Sequence, residues 1–158
     1  MLRSIYRMVL VSSLGVVPTA ALGQIQVKDA WVRGTVPAQT ATGAFMEITS
    51  KSDSKLVGAA SPAAGKVEVH NMKMENGVMK MAPVAAIDLP AGKPVLLGPG
   101  GYHVLLMDLK QQLKTGEKVV IMLSLEGADR KRQTMPVTAD VRELTSAAKG
   151  SGAGHSKH

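Results

Sequence analysis

From residue 24 to residue 143 the chain falls into short runs, some alternating apolar and polar positions and some continuously apolar, and no run keeps a 3.6-residue period. The runs are Gln24–Arg33, Ala41–Thr49, Leu56–Ala60, Lys66–Met74, Val78–Val84, Val95–Leu97, Tyr102–Leu109, Lys118–Leu125 and Gln133–Glu143. Alternation places successive side chains on opposite faces of a strand. Turn residues punctuate the runs: Ser50–Lys55, Ser61–Gly65, Leu89-Pro90-Ala91-Gly92 and Gly98-Pro99-Gly100-Gly101. Lys110–Gly116 reads as a polar connection, and Trp31, the single tryptophan, as a core anchor. Short strands separated by turn signals about every 8–12 residues predict an all-β sandwich or barrel.

The sharpest local signal is the stretch His70–Met81, H-N-M-K-M-E-N-G-V-M-K-M. Asn76-Gly77 suits a two-residue type I′ hairpin turn, because both central residues need positive φ. Folded there, Met72 lies opposite Met81 and Met74 opposite Met79. His70, Met72, Met74, Met79 and Met81 then share one face, and His70 is the diagonal neighbour of Met81. Val67, Val69, Ala82 and Val84 form the other face and suit a core. Glu68 falls on the His/Met side, which argues that this side is not fully buried.

The ends read differently. Residues 1–23 have the form of an export signal: Arg3 and Arg7, an apolar run over Met8–Val17 too short to span a bilayer, and small residues at Ala21 and Gly23. Residues 144–158, rich in Ser, Ala, Gly and Lys, read as a disordered tail. The expected organisation is a signal peptide over 1–23, one domain over 24–143 and a tail over 144–158.

Composition narrows the chemistry. Without the two signal arginines, 17 of the 19 basic residues face 12 acidic ones, a net charge of +5 over 135 residues. Arg130-Lys131-Arg132 is the only basic run, and four aromatic residues offer little to stack on bases, so nucleic acid is not an expected partner. There is no cysteine. Disulfides, thiolate catalysis and a blue-copper electron-transfer centre are therefore excluded within this sequence. No paired carboxylates, nucleophile motif or phosphate loop stands out, and the protein is not expected to be an enzyme.

What remains is imidazole and thioether. Together they suit copper, above all Cu(I), better than Mg²⁺ or Ca²⁺. Zinc seldom uses methionine. His103, at the start of the Tyr102–Leu109 strand, is the second histidine that a His/Met site needs. Methionine is also an adaptable core filler, so packing stands as the other reading of this face.

The residues resemble the periplasmic copper chaperones of the PCuAC family. The signature of that family is a histidine, ten residues, a methionine, twenty-one residues, a histidine, one residue and a methionine. His70, Met81 and His103 match with both spacings, and Asp29–Arg33, Ala41–Phe45, Val67–Met81 and Gly98–Lys110 match in context. The resemblance spans Gln24–Glu143. It implies a cupredoxin-like Greek-key β-sandwich of about eight to nine short strands, and Cu(I) held by His70, Met81 and His103. It also implies periplasmic location and delivery to the copper-accepting subunit of a haem–copper respiratory oxidase, with a thioredoxin-like assembly factor as a further partner. One position departs: Leu105 stands where the family has its fourth ligand, a methionine. Met72, an open position and Met107 are the candidates, in that order. The tail histidines, His155 and His158, are candidates for Cu(II). A non-metallated interaction module of the same fold is the alternative reading.

Overall fold

A computed structural model describes residues 24–143. The expected signal peptide and tail, with His155 and His158, lie outside the described residues. Among the described residues ten strands form: β1 (Ile25–Arg33), β2 (Ala41–Ser50), β3 (Ser54–Ala60), β4 (Ala64–Glu75), β5 (Val78–Pro83), β6 (Ile87–Leu89), β7 (Pro94–Leu97), β8 (Tyr102–Leu109), β9 (Lys118–Gly127) and β10 (Arg132–Arg142). The fold is the expected all-β, cupredoxin-like sandwich, with ten strands rather than eight or nine. The additional one is β6, whose Ile87 and Leu89 are buried against β3. It is three residues long and stops at Pro90, so its single alternation is too brief to stand out in the sequence.

The strands hydrogen-bond in the order β5-β4-β8-β2-β1-β10-β9-β3-β6, with β7 beside β2. β1 and β10 run parallel, and the other pairs are antiparallel. One side of β2 and β8 faces the core through Ala44, Met46, Ile48, Val104 and Leu106. Leu56 of β3 and Ile121, Leu123 and Leu125 of β9 close that core from the opposite layer. Burial of this apolar face is the main force holding the sandwich together. Leu113, in the expected polar connection, also joins the core, and its N–H donates to Thr35 Oγ1 at 2.9 Å.

Trp31 is buried, as expected of a core anchor, but on a face that strict alternation does not announce. Strict alternation along β1 would put it on the core face with Ile25 and Val27. A bulge between Lys28 and Trp31, with Asp29 at φ 50°, inserts one extra residue and pairs Trp31 with Phe45 instead. Both rings are buried, but on the face of β2 opposite the core, stacked at 4.5 Å between centroids. The Arg142 guanidinium lies over Trp31 at 5.5 Å.

Candidate metal centre

The β4–β5 hairpin turns where the sequence places it. Asn76 and Gly77 have φ values of 51° and 77°, and the register pairs Met72 with Met81 and Met74 with Met79. His70 pairs with Pro83, so Met81 is its diagonal neighbour. One part of the expectation fails: Ala82 is exposed, as is every other residue of β5. Beyond Asn71 the hairpin projects past the sandwich, and its second face meets no core. Val67, Val69 and Val84 at its base pack inward, with Ala64 at the start of β4.

β4 pairs with β8 on its other edge, and there His70 lies directly opposite His103. Their ring centroids are 6.0 Å apart, and both side chains are almost wholly buried. An imidazole nitrogen binds a first-row metal at about 2 Å, so two rings can share one ion at centroid separations up to about 6 Å. The core face of the same strands, with Val69 opposite Val104, fixes this register.

Each histidine has one nitrogen committed. His103 Nδ1 lies 3.0 Å from the Gly101 carbonyl oxygen, which only accepts; the proton is therefore on Nδ1, and in the neutral ring Nε2 keeps its lone pair. The Gly101 carbonyl also accepts from the Met72 N–H at 3.1 Å, which ties the hairpin to this histidine. Gly98–Gly101 is a type II turn, closed by the Gly101 N–H to Gly98 carbonyl bond at 3.1 Å, with Gly100 at φ 87° after Pro99. His70 Nε2 lies 2.9 Å from Glu68 Oε2, and its Nδ1 is buried with no hydrogen-bond partner. A buried nitrogen without a partner is costly unless something occupies it. A histidine held by a carboxylate or carbonyl through one nitrogen and free at the other is the usual arrangement of a metal ligand.

Glu68 is therefore part of the site, which the sequence did not single out. Its signal was present: on a strand, residues two apart share a face. Its carboxyl is held below the ordinary range, first by the Lys66 ammonium that donates to it at 2.7 Å and then by His70.

A cleft of about 290 Å³ opens over this face. His103, Met72, Met81 and Leu105 line it, with Phe45 and Arg33 beside them. Phe45 stands 6.3 Å from His103 between centroids, and the Arg33 guanidinium lies 5.6 Å over the Phe45 ring. Arg33 Nε is buried without a hydrogen-bond partner. Of the two methionines considered for a fourth ligand, Met72 lines the cleft and Met107 does not. Met107 pairs with Lys66 and Ala41, two pairs beyond Leu105 from the histidine end. Among the described residues no group of three or more His, Cys, Asp or Glu side chains is placed to hold a metal, so a centre here depends on thioether sulfur.

The chain is similar to four known families, proteins or domains. The model of the family described as "Putative lipoprotein LpqE-like" matches residues 25–137. The "Putative lipoprotein Lxx21020" of Leifsonia xyli subsp. xyli (strain CTCB07) is 32% identical over 124 residues, 78% of this chain and 72% of that protein. Among solved structures, the Cu(I) form of DR1885 from Deinococcus radiodurans is 35% identical at a TM-score of 0.53, covering 78% of this chain and 81% of the other. The apo PCuAC domain from PmoF1 superposes with a TM-score of 0.61 at 20% identity, covering 77% and 95%. This last likeness shows the fold.

Proposed function

The chain belongs to the LpqE-like family and has the PCuAC-type fold, and from that premise we propose that it is an exported copper chaperone. Cu(I) is its cargo. His70 Nδ1, His103 Nε2 and the Met81 sulfur are the ligands, and Met72 is the neighbour that completes the set in place of Leu105. The observation that carries this reading is the pair of cross-strand imidazoles, each with one nitrogen held by an acceptor and the other left with its lone pair. The copper in the Cu(I) form of DR1885, 35% identical, supports it.

The residues divide the work. Glu68 and the Gly101 carbonyl fix the ring tautomers. Phe45 walls the cleft beside His103, and Trp31 packs behind it. Met81, half exposed on the projecting hairpin, is the ligand that a partner reaches first. Release is a ligand exchange in which the acceptor's donors replace a neutral thioether before the imidazoles. Copper stays Cu(I) throughout, and no substrate bond is made or broken. By resemblance the acceptor is the copper centre of a haem–copper oxidase, with a thioredoxin-like assembly factor assisting. The location is the periplasm. No helix among the described residues is long and apolar enough to cross a membrane.

A competition titration of Cu(I) against a chromophoric chelator tests the reading. One tight equivalent is expected, lost on His103→Ala and weakened on Met81→Leu. Leu105 favours one alternative, a non-metallated docking module of the same fold; no Cu(I) binding by the wild type above that of a tail-only peptide would select it.

A further inference from the structure

The copper reading uses Met81 and Met72 and leaves Met74 and Met79 without a role. These two are opposite one another on the outermost rung but one of the hairpin, 64% and 43% exposed. Packing does not account for them, since no residue of β5 is covered. The polarity of the ribbon is also segregated. Lys73, Lys80 and Glu75 occupy the opposite face, where the Lys80 ammonium pairs with Glu75 at 2.9 Å. The methionine face beyond His70 carries four thioethers in two rungs and no charge. Opposed side chains on an antiparallel pair have Cβ atoms about 5 Å apart, within reach of a shared ion for a side chain as long and flexible as methionine. Successive rungs lie about 7 Å apart.

We infer that Met74 and Met79 form a second, weaker site for a soft univalent cation, Cu(I) or Ag(I), and that this outer rung hands its ion to the Met72–Met81 rung beside the histidines. The inference rests on the copper reading of the inner site. Thioethers are neutral and need no deprotonation, so an ion moves from the outer rung to the inner one by exchange of neutral donors, with no proton or electron transferred. Two thioethers bind more weakly than a set containing two imidazoles, so the ion moves inward while the inner site is empty. Once it is filled, a second ion stays at the tip. Exposed thioether on an uncharged face suits a soft cation.

The test is a titration of the full chain, labelled with ¹³C at the methionine methyl groups, with Ag(I), which is stable in air. The first equivalent is expected to shift Met81 and Met72, and the second Met74 and Met79, ahead of Met107, Met122 and Met135 on the body of the sandwich. The variant Met74→Leu should abolish the response of Met79 while leaving the first equivalent at Met81 intact. Response of Met79 unchanged in Met74→Leu, or no response at the tip before those three body methionines, would overturn the outer site. Failure of the first equivalent to reach Met81 would instead overturn the inner site.

Discussion

His70 and His103 are cross-strand partners whose rings stand 6.0 Å apart, and each is braced by an acceptor belonging to its own strand or the turn before it. Glu68 is two residues before His70, and Gly101 is two residues before His103. The first brace follows from strand geometry and the second from the Gly98–Gly101 turn, and neither needs a long-range contact.

Glu68 is the brace open to mutation. Glu68→Gln keeps an acceptor oxygen but loses the charge; Glu68→Ala removes both. Loss of an outer-shell partner typically lowers metal affinity about 10–100-fold. Cu(I) affinity measured by chelator competition should fall in that range for Ala and less for Gln.

Leu105 is the departure from the PCuAC signature, and it lines the same cleft as His103 and Met81. Leu105→Met is close to volume-conserving and should cost less than about 1.5 kcal/mol of stability. It should tighten Cu(I) by roughly tenfold, or about 1.4 kcal/mol, seen as a shift in the competition curve with little change in the thermal midpoint.

Gly43 is the floor under Phe45. A Cβ added there would lie 2.8 Å from the Phe45 ring tip. Gly43→Ala must therefore displace the ring that stands between Trp31 and His103. Overpacking of this kind costs about 1–3 kcal/mol. A lower thermal midpoint and weaker Cu(I) binding are expected together. Gly58→Ala is the control, since its added Cβ meets only Ser124, at 3.8 Å.

Asp140 pairs with Lys118 across β9 and β10, and that ammonium holds its carboxyl below the ordinary range. A depressed carboxyl stabilises the fold above its unfolded pKa of about 4 and loses that contribution as pH falls through the folded value. Urea midpoints at pH 6 and pH 3 should therefore differ less in Asp140→Asn than in the wild type.

Much of this was legible in the sequence, for physical reasons that differ by element. The hairpin could be read because Asn76-Gly77 sets the turn, and a two-residue turn sets the register of every pair behind it. The strand Tyr102–Leu109 was readable to the residue because glycines bound it on one side and a strongly apolar run fills it. The pairing of His70 with His103 was not readable, because it joins β4 to β8 and depends on how two distant strands slide against each other. The face on which Trp31 is buried was not readable, because one extra residue at Asp29 reverses the faces of β1 and no residue type announces a bulge. β6 was missed because Ile87 and Leu89 make a single alternation before Pro90. Glu68 was visible only as a polar residue on the histidine face. Its hydrogen bond gives it a role.

The central claim is that one Cu(I) is held between His70 and His103 with thioether support. X-ray absorption at the copper edge of the protein loaded with one equivalent tests it most directly. Two imidazole nitrogens and thioether sulfur are expected bound to the copper, with one imidazole lost in His70→Ala. A spectrum with sulfur alone, or one unchanged by His70→Ala, would contradict the claim.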